Sequence, residues 1–278
     1  MHFVCCIKQV PDTTEVKIDP QTNTLVRAGV EAISNPFDMV ALEKAIQLRE
    51  EYGGKVTAIS MGPPQGQSSL REALAMGADE AILLSDRAFA GADTLATSYT
   101  LARAIEKIGM VFPVDVVFCG KQAIDGDTAQ TGPGIATRLG LTQFTYVTAI
   151  DSIDVAKKRM QVRRKLAGGI EIIEGPLPVL ITCELELATP RRASLPLLIR
   201  SMTAPVNTYD AKAIGAAPEM VGLKGSPTWV KAIFSPAERE GGPVFDARTE
   251  IGPAVSEALD TLLQEAEFAS KFLKRWKS

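Results

Sequence analysis

Short apolar runs alternate with longer amphipathic segments along the first half of the chain. The apolar runs predict buried strands at residues 3–10, 55–61, 81–84 and 114–119. Segments with helical spacing follow at residues 36–52, 65–76, 94–108 and 131–139. Because strand and helix alternate four times, the pattern predicts an α/β fold with a Rossmann-like parallel sheet and helices on both faces.

The start of the first helix carries several local signals. Asn35 is a strong N-cap residue, Pro36 suits the first helical position, and Asp38 completes a capping-box-like arrangement. Upstream of it, residues 15–18 and 24–26 predict a small hairpin.

The second half of the chain has a different pattern. Residues 144–153, 159–165, 169–174 and 179–185 predict strands, which we expect to extend the sheet in antiparallel fashion. Beyond them, residues 215–243 are rich in Gly, Pro and Ser and predict an extended arm, and residues 253–276 predict a last helix. We therefore divide the chain into an α/β domain, 1–190, which we expect to bind an adenine nucleotide, and a segment 191–278 that holds a partner-docking segment, the arm and the C-terminal helix.

Composition and charge exclude several classes of function. The net charge of −3 gives no sign of a nucleic-acid surface, and no apolar run is long enough to span a membrane, so we expect no membrane embedding. None of the four cysteines forms a C-x-x-C pair, which predicts buried free thiols and suits a cytoplasmic location. The single histidine, His2, is expected at a mobile terminus, which argues against histidine catalysis and histidine metal sites.

The stretch from Asp115 to Gly140 is the strongest candidate for a binding site. An apolar strand breaks at Gly120, crosses a polar loop and becomes a helix near Thr131. Backbone N–H groups at such a helix start, together with the helix dipole, favour an anion. Additional donors come from Lys121, Gln122, Thr128, Gln130 and Thr131. The stretch predicts a pocket for the phosphate portion of a nucleotide, and the alternative is a connection that binds nothing.

Other segments are expected to meet this loop. In a parallel sheet the carboxyl ends of the strands share one edge, and ligands bind there near a switch in strand order. Residues 6–8, Met61 and residues 120–121 lie at the carboxyl ends of predicted strands, and residues 35–38 begin a helix on the same side. Four pieces of the chain should therefore line one crevice and hold a nucleotide.

Catalytic sequence patterns are absent from the chain. Neither G-x-x-x-x-G-K-[ST] nor a G-x-G-x-x-G after the first strand is present, and no nucleophile has a visible activating base. We identify no catalytic side chain, so any redox chemistry must come from a bound cofactor.

An apolar cluster follows Thr189. Leu195, Leu197, Leu198 and Ile199 are bracketed by arginines, and Pro190 and Pro196 disfavour a central strand. Such a cluster is typical of a protein-binding anchor with a basic rim, and equally of a loop that covers the core.

Read together, six segments resemble the beta subunit of electron-transfer flavoprotein, including its FixA-type members. The segments are CIKQVPDT from Cys6, NPFDMVALEKA from Asn35, SMGP from Ser60, LREALAMGADEA from Leu70, GKQAIDGDTAQTG from Gly120 and ATPRRASLP from Ala188. GKQAID followed by QTG, with NPFD upstream, is highly specific to that family.

The resemblance implies a heterodimer with an alpha subunit that holds an electron-transferring FAD, while this chain holds a second adenine nucleotide. By matching position, the residues implied to bind it are Cys6, Ile7, Lys8, Asn35, Pro36, Phe37, Asp38, Met61, Gly120, Lys121, Gln122, Ala123, Ile124, Asp125, Gly126, Asp127, Thr128, Ala129, Gln130 and Thr131. The residues implied to dock an acyl-CoA dehydrogenase are Arg191, Leu195, Pro196 and Leu197.

The identity of the second nucleotide depends on two positions at which this chain differs from mitochondrial-type beta subunits. Mitochondrial-type beta subunits have bulkier residues where this chain has Gly126 and Ala129, and they hold AMP. The smaller residues look like the FixA and electron-bifurcating branch, which holds FAD there. Such a FAD would take a hydride from NADH and divide the electrons between ferredoxin or flavodoxin and the alpha-subunit FAD. The alternatives are a plain electron carrier with AMP, serving a quinone reductase, and a regulatory nucleotide-binding module similar to universal stress proteins.

Overall fold

The computed structural model describes residues 1–12, 18–19, 24–25, 32–231, 243–248 and 250–264. The chain divides into two compact units, Met1–Ile233 and Phe234–Ser278.

The first unit is built on a central sheet flanked by helices. Its strands are β1 His2–Cys6, β2 Gln9–Pro11, β3 Ile18–Asp19, β4 Thr24–Leu25, β5 Ala32–Ser34, β6 Lys55–Met61, β7 Glu80–Leu84, β8 Val116–Gly120, β9 Thr142–Asp154, β10 Arg159–Leu166, β11 Gly169–Pro176, β12 Val179–Cys183 and β13 Val206–Tyr209. Its helices are α1 Pro36–Tyr52, α2 Gln67–Met76, α3 Thr94–Val111, α4 Thr131–Leu139 and α5 Leu195–Thr203.

Within the described residues the central sheet has nine strands in the order β11-β10-β9-β12-β8-β1-β6-β7-β13. The seven strands from β9 to β13 along this order run parallel, whereas β10 and β11 are antiparallel to their neighbours. The predicted Rossmann-like parallel sheet with helices and added antiparallel strands is confirmed.

Two of the four later strands, β9 and β12, join the sheet parallel to its earlier strands, so the predicted antiparallel addition is wrong for these two. Helix α4 is a crossover between β8 and β9, which makes β9 parallel to the sheet. The chain then returns through β10 and β11 and inserts β12 between β9 and β8. All five residues of β12 are buried, as expected for a strand covered on both faces.

Each face of the sheet carries one apolar core. Phe3 and Cys5 of β1 pack with α1 and α2, whereas Val4 and Cys6 pack with α3 and α4. This alternation follows from the twofold period of a strand covered by helices on both sides. The four cysteines, all within the described residues, are buried and unbridged, as predicted.

The start of the chain differs from the prediction in two ways. The strand predicted over 3–10 is divided into β1 and β2, because β2 leaves the sheet to pair with β5. His2 is not at a mobile terminus: it is 1% exposed within β1, and its ring bonds the Phe112 carbonyl and the Thr57 hydroxyl. Burial lowers the pKa of His2 below its ordinary value. His2 begins β1 and therefore lies at the sheet edge opposite to the carboxyl ends.

The predicted hairpin near residue 20 is present between β3 and β4, and the rest of its predicted span lies outside the described residues. Neither α5 nor β13 was predicted. β13 adds a parallel edge strand beside β7, and α5 packs against α2.

The second unit contains helix α6, Ile251–Gln264. The predicted C-terminal helix is present from Ile251, and its predicted continuation over 265–278 lies outside the described residues. Among the described helices, none combines the length and apolar character needed to cross a membrane.

Candidate functional site

The strand order places a switch point between β1 and β8. From β1 the chain builds outward through β6 and β7 on one side, and then returns to place β8 on the other side. Connections that leave two neighbouring strands in opposite directions open a crevice at their carboxyl ends. The loops after Cys6 and after Gly120 border this crevice, and Met61 ends β6 beside them.

A single buried carboxylate joins the segments around the crevice. Asp38, 6% exposed, accepts the Lys8 backbone N–H at 2.8 Å and the Gly120 backbone N–H at 2.9 Å. The start of α1 is thereby tied to the ends of β1 and β8. The capping-box role predicted for Asp38 is wrong, because the Asn35 backbone N–H donates to the Lys8 carbonyl, while Asp38 accepts the backbone N–H groups of Lys8 and Gly120.

The environment of Asp38 also sets its protonation. Burial raises its pKa to about 7, against the lowering effect of hydrogen bonds from Lys8, Asn35 and Gly120. A carboxyl group that titrates near neutral pH therefore lies directly beneath the candidate site.

Gly120 is required by the same close packing. A Cβ at this position would lie 2.3 Å from Asp38 Oδ1 and 2.7 Å from Phe37 Cβ. Only glycine lets the end of β8 approach the α1 start this closely.

Asn35 precedes α1 but makes no side-chain capping bond, so its predicted N-cap bond is absent. Its Nδ2 donates instead to the Gln122 carbonyl at 2.9 Å, which ties the α1 start to the β8 loop. Its Oδ1 is buried and has no partner within the described residues. A buried acceptor without a partner is costly, and a ligand N–H would satisfy it.

Both lysines of the crevice are engaged by carboxylates. Lys8 Nζ lies 2.6 Å from Asp125 Oδ1, so that ion pair joins the β1 and β8 loops. Lys121 Nζ lies 3.0 Å from Glu184 Oε1 and 5.3 Å from the centre of the Tyr146 ring. The negative charge of Asp125, beside the predicted phosphate pocket, is therefore compensated within the chain.

The β8 loop is open at its tip and closes onto α4. Residues 125–128 are exposed, and a Cβ on Gly126 would meet nothing within 4 Å. Ala129 adopts the left-handed conformation at φ 56°, just before α4 begins. The Gln130 side chain accepts the Thr94 hydroxyl at 3.0 Å, which links the starts of α4 and α3.

Two glycines allow the start of α4 to pack closely against β12 and α3. A Cβ on Gly132 would lie 2.7 Å from Thr182 Cγ2, and one on Gly134 would lie 2.8 Å from Ser98 Cβ. Gly132 therefore allows close packing of α4 against β12. The first N–H groups of a helix have no partner inside it, so those at the start of α4 are available to an anion.

The structure brings the remaining predicted binding residues to the same edge of the sheet. Cys6 and Ile7 are buried at the end of β1, Phe37 is half-buried against Gly120, and Pro36 is exposed. Ala123 and Gly126 close a small turn in the β8 loop, with Ile124 and Asp125 at its centre. A separate surface cavity of about 450 Å³, lined in part by Lys55, Glu80 and Arg200, is not part of this crevice.

Two residues near the crevice were missed from the sequence. Tyr146 lies in β9 with φ 58°, a rare conformation for a bulky side chain, and its N–H donates to the Thr182 hydroxyl at 3.0 Å. Glu184 is 6% exposed and pairs with Lys121. A carboxylate directly after the buried strand β12 was the available signal for Glu184, whereas no sequence pattern signals the bulge at Tyr146.

The predicted docking segment forms α5, which turns apolar side chains outward. Four residues at helical spacing form what we call the outer ridge, with exposed fractions of 68%, 47%, 59% and 70%: Leu195, Leu198, Ile199 and Met202. Leu197 is half-buried, Ser201 is buried, and Pro196 is exposed. Arg191 lies half-buried before the helix and pairs with Glu43 and Glu50.

Comparison with known proteins gives a consistent result. The electron transfer flavoprotein domain matches residues 22–214. Protein FixA of Azorhizobium caulinodans is 49% identical over 256 residues, which cover 91% of each chain. Electron transfer flavoprotein subunit beta of Thermoanaerobacterium thermosaccharolyticum is 49% identical over 265 residues, covering 95% of this chain and 97% of that one. The caffeyl-CoA reductase-Etf complex subunit CarD of Acetobacterium woodii is 48% identical over 250 residues, covering 90% and 93%.

Proposed function

The chain belongs to the electron transfer flavoprotein family as a FixA-type beta subunit, and on this basis we propose that it binds FAD in the crevice between β1 and β8. It passes electrons between NADH, a low-potential carrier such as ferredoxin or flavodoxin, and an acyl-CoA dehydrogenase. The route to the dehydrogenase runs through a second FAD in a partner alpha subunit.

The observation that supports this proposal best is the pair of hydrogen bonds by which Asp38 joins the ends of β1 and β8 at the switch point in strand order. Asp38 fixes the ends of two neighbouring parallel strands, and α4 presents its first N–H groups beside them. Such an arrangement is a general solution for holding the phosphates of a nucleotide.

The residues of the crevice fit an adenine dinucleotide. The α4 start, with Thr131 and the backbone near Ala129, would hold phosphate oxygens. The unpartnered Oδ1 of Asn35 suits an N–H donor such as an adenine amino group. A flavin bound here supplies the hydride and single-electron chemistry that no side chain of the crevice provides.

Space at the loop tip favours FAD over the smaller AMP. Residues 125–128 are exposed and Gly126 leaves open volume beside the backbone, so a long ligand can extend past the loop. The same exposure means that a ligand held here needs cover on its outer side. We propose that the alpha subunit provides this cover, which accounts for a heterodimer.

The outer ridge and one relative support the proposed redox partner. CarD is named as a subunit of a caffeyl-CoA reductase-Etf complex, and its similarity to this chain supports a CoA-thioester oxidoreductase as the redox partner. The outer ridge is the surface on which we place that partner.

Nucleotide counting tests the proposal. The chain is co-expressed with its alpha subunit, and the nucleotides released from the purified heterodimer are quantified. We expect two FAD and no AMP per heterodimer, with rapid bleaching of flavin absorbance by NADH. One FAD and one AMP would establish the plain carrier instead, and a stable flavin-free dimer of this chain that binds ATP would contradict both.

A further inference from the structure

We propose that Arg191 and Arg71 are positioning residues that hold α5 in place, so that the outer ridge is a preformed docking surface. Neither arginine touches the redox partner. The proposal rests on the function proposed above and adds to it the residues that orient the partner.

The outer ridge has the geometry of a helix that inserts into a groove. Its four residues lie at positions i, i+3, i+4 and i+7, which share one face of a helix. That face points away from the protein, because the buried side of the helix is formed by Leu197 and Ser201, and α5 packs against α2. An apolar stripe of two helical turns suits an apolar groove on a partner protein.

A helix as short as α5 depends on contacts with the rest of the protein for its stability. α5 has nine residues, and an isolated helix so short is marginal in water. The contacts at its two ends therefore decide whether the ridge exists before the partner arrives. A surface that is ordered in advance lowers the entropy cost of binding.

Arg191 fixes the segment that leads into α5. Its Nε and Nη2 lie 2.8 Å and 3.0 Å from the two Glu43 oxygens, and its Nη1 and Nη2 lie 2.6 Å and 3.0 Å from the Glu50 oxygens. The Arg191 backbone N–H adds a bond of 3.2 Å to Glu43. Hydrogen bonding to Arg191 lowers the pKa of Glu50. A planar guanidinium that serves two carboxylates leaves little capacity for a partner protein.

Glu43 shows that this contact is internal. It lies on α1 with 3% of its surface exposed, so an incoming protein cannot reach it. A buried carboxylate needs a paired cation, and Arg191 supplies it. The ion pair therefore anchors residue 191 to the body of the domain.

Arg71 fixes the other end of the helix. Its Nη1 donates to the carbonyls of Ser201 at 2.6 Å, Met202 at 3.1 Å and Ala204 at 3.4 Å. The last carbonyls of a helix have no partner within it, and a cation at this end also opposes the helix dipole. Arg71 belongs to α2, so α5 is joined to the two helices that cover one face of the sheet.

The test uses Glu43→Gln in the purified heterodimer, because this residue cannot contact a partner. Electron transfer to a purified acyl-CoA dehydrogenase is measured against dehydrogenase concentration. We expect KM to rise roughly tenfold with kcat retained, as for loss of preorganisation. Released FAD and the rate of reduction by NADH should match wild type. Glu51→Gln, an exposed acid on the same helix, is the matched control and should leave KM unchanged.

A second pair of variants separates positioning from direct contact. Arg191→Lys keeps the positive charge but removes the planar guanidinium that bonds Glu43 and Glu50 at once. It should therefore raise KM as Glu43→Gln does. Arg192→Lys changes the exposed neighbour and should have no effect. A rise in KM for Arg191→Lys without one for Glu43→Gln would mean that Arg191 touches the partner, and would overturn the proposal.

Hydrogen exchange gives a readout that needs no partner. Backbone amides of 197–204 should exchange faster in Glu43→Gln and in Arg71→Met than in wild type, with the β-sheet amides unchanged. Unchanged exchange in both variants would overturn the proposal. A wild-type heterodimer that lacks flavin, or that transfers no electrons to the dehydrogenase, would instead contradict the proposed function. In that case the exchange result would still show whether Glu43, through Arg191, and Arg71 hold α5 in place.

Discussion

Asp38 Oδ1 accepts the Gly120 backbone N–H at 2.9 Å, in a position where any residue larger than glycine would collide with it. The other oxygen of Asp38 takes the Lys8 N–H. One buried side chain thus fixes the relative placement of the two strands on either side of the switch point.

The packing around Gly120 gives the first prediction. Gly120→Ala places a methyl group 2.3 Å from Asp38 Oδ1, and overpacking of this kind costs about 1–3 kcal/mol of stability. We expect a lower urea midpoint and loss of bound nucleotide on dialysis. Gly126→Ala is the matched control, because nothing lies within 4 Å of its added Cβ. Equal midpoints for the two variants would contradict the packing described for Gly120.

The raised pKa of Asp38 gives a pH prediction. Burial raises the pKa of Asp38 to about 7, so the protonated form favours the folded state. The contribution of Asp38 to stability is full below its unfolded pKa near 4 and declines as pH rises towards 7. The free energy of unfolding of wild type minus that of Asp38→Asn should therefore fall by roughly 1 kcal/mol per pH unit between pH 5 and 7. Urea titrations at pH 5, 6, 7 and 8 measure it, and a flat or rising difference would refute the assignment.

The left-handed conformation of Tyr146 predicts that a glycine variant at this position is more stable than an alanine variant, the reverse of the usual order in a strand. Tyr146→Gly and Tyr146→Ala both remove the ring near Lys121, but only glycine adopts φ 58° without strain. We expect the glycine variant to be the more stable by about 1 kcal/mol.

Thr148 provides the control in the same strand. It has no positive φ, so Thr148→Gly should be less stable than Thr148→Ala by about 0.5–1 kcal/mol. Thermal unfolding of the four variants measures both differences. The same order at both positions would show that Tyr146 is not strained.

The outer ridge predicts a docking defect that leaves the cofactor in place. Leu195→Ala removes an exposed apolar anchor, and we expect KM for the dehydrogenase to rise by roughly tenfold. Ile170→Ala is the control, since Ile170 on β11 is exposed to the same degree, 67% against 68%. Steady-state transfer and FAD content are measured for both. Loss of bound FAD in Leu195→Ala would refute the docking role.

Much of the fold follows from local pattern. Alternating apolar strands and amphipathic helices predicted the parallel sheet, and Gly120 followed by the α4 start marked the crevice. The insertion of β12 between β9 and β8 was not predictable in this way. Strand order depends on pairing between segments far apart in the chain, whereas periodicity reports only burial along a segment.

Polar residues show the same limit. Asp38 and Asn35 have the sequence of a helix cap, yet their side chains bond Gly120 and Gln122 from another part of the chain. Around α5, the two prolines disfavoured a central strand but did not reveal a helix, and Pro196 lies in the first turn of α5, where proline is tolerated. The spacing of Leu195, Leu198 and Ile199 defines a helical face without telling whether that face points inward or outward. Tertiary contacts decide both questions.

The central claim is that the crevice joined by Asp38 holds a flavin nucleotide, and a crystal structure of the co-purified heterodimer tests it most directly. We predict electron density for FAD between residues 6–8, 35–38 and 120–131, with phosphates at the start of α4 and a polar atom of the ligand at Asn35 Oδ1. A crevice filled by the protein's own side chains, with every flavin of the heterodimer bound elsewhere, would contradict the account.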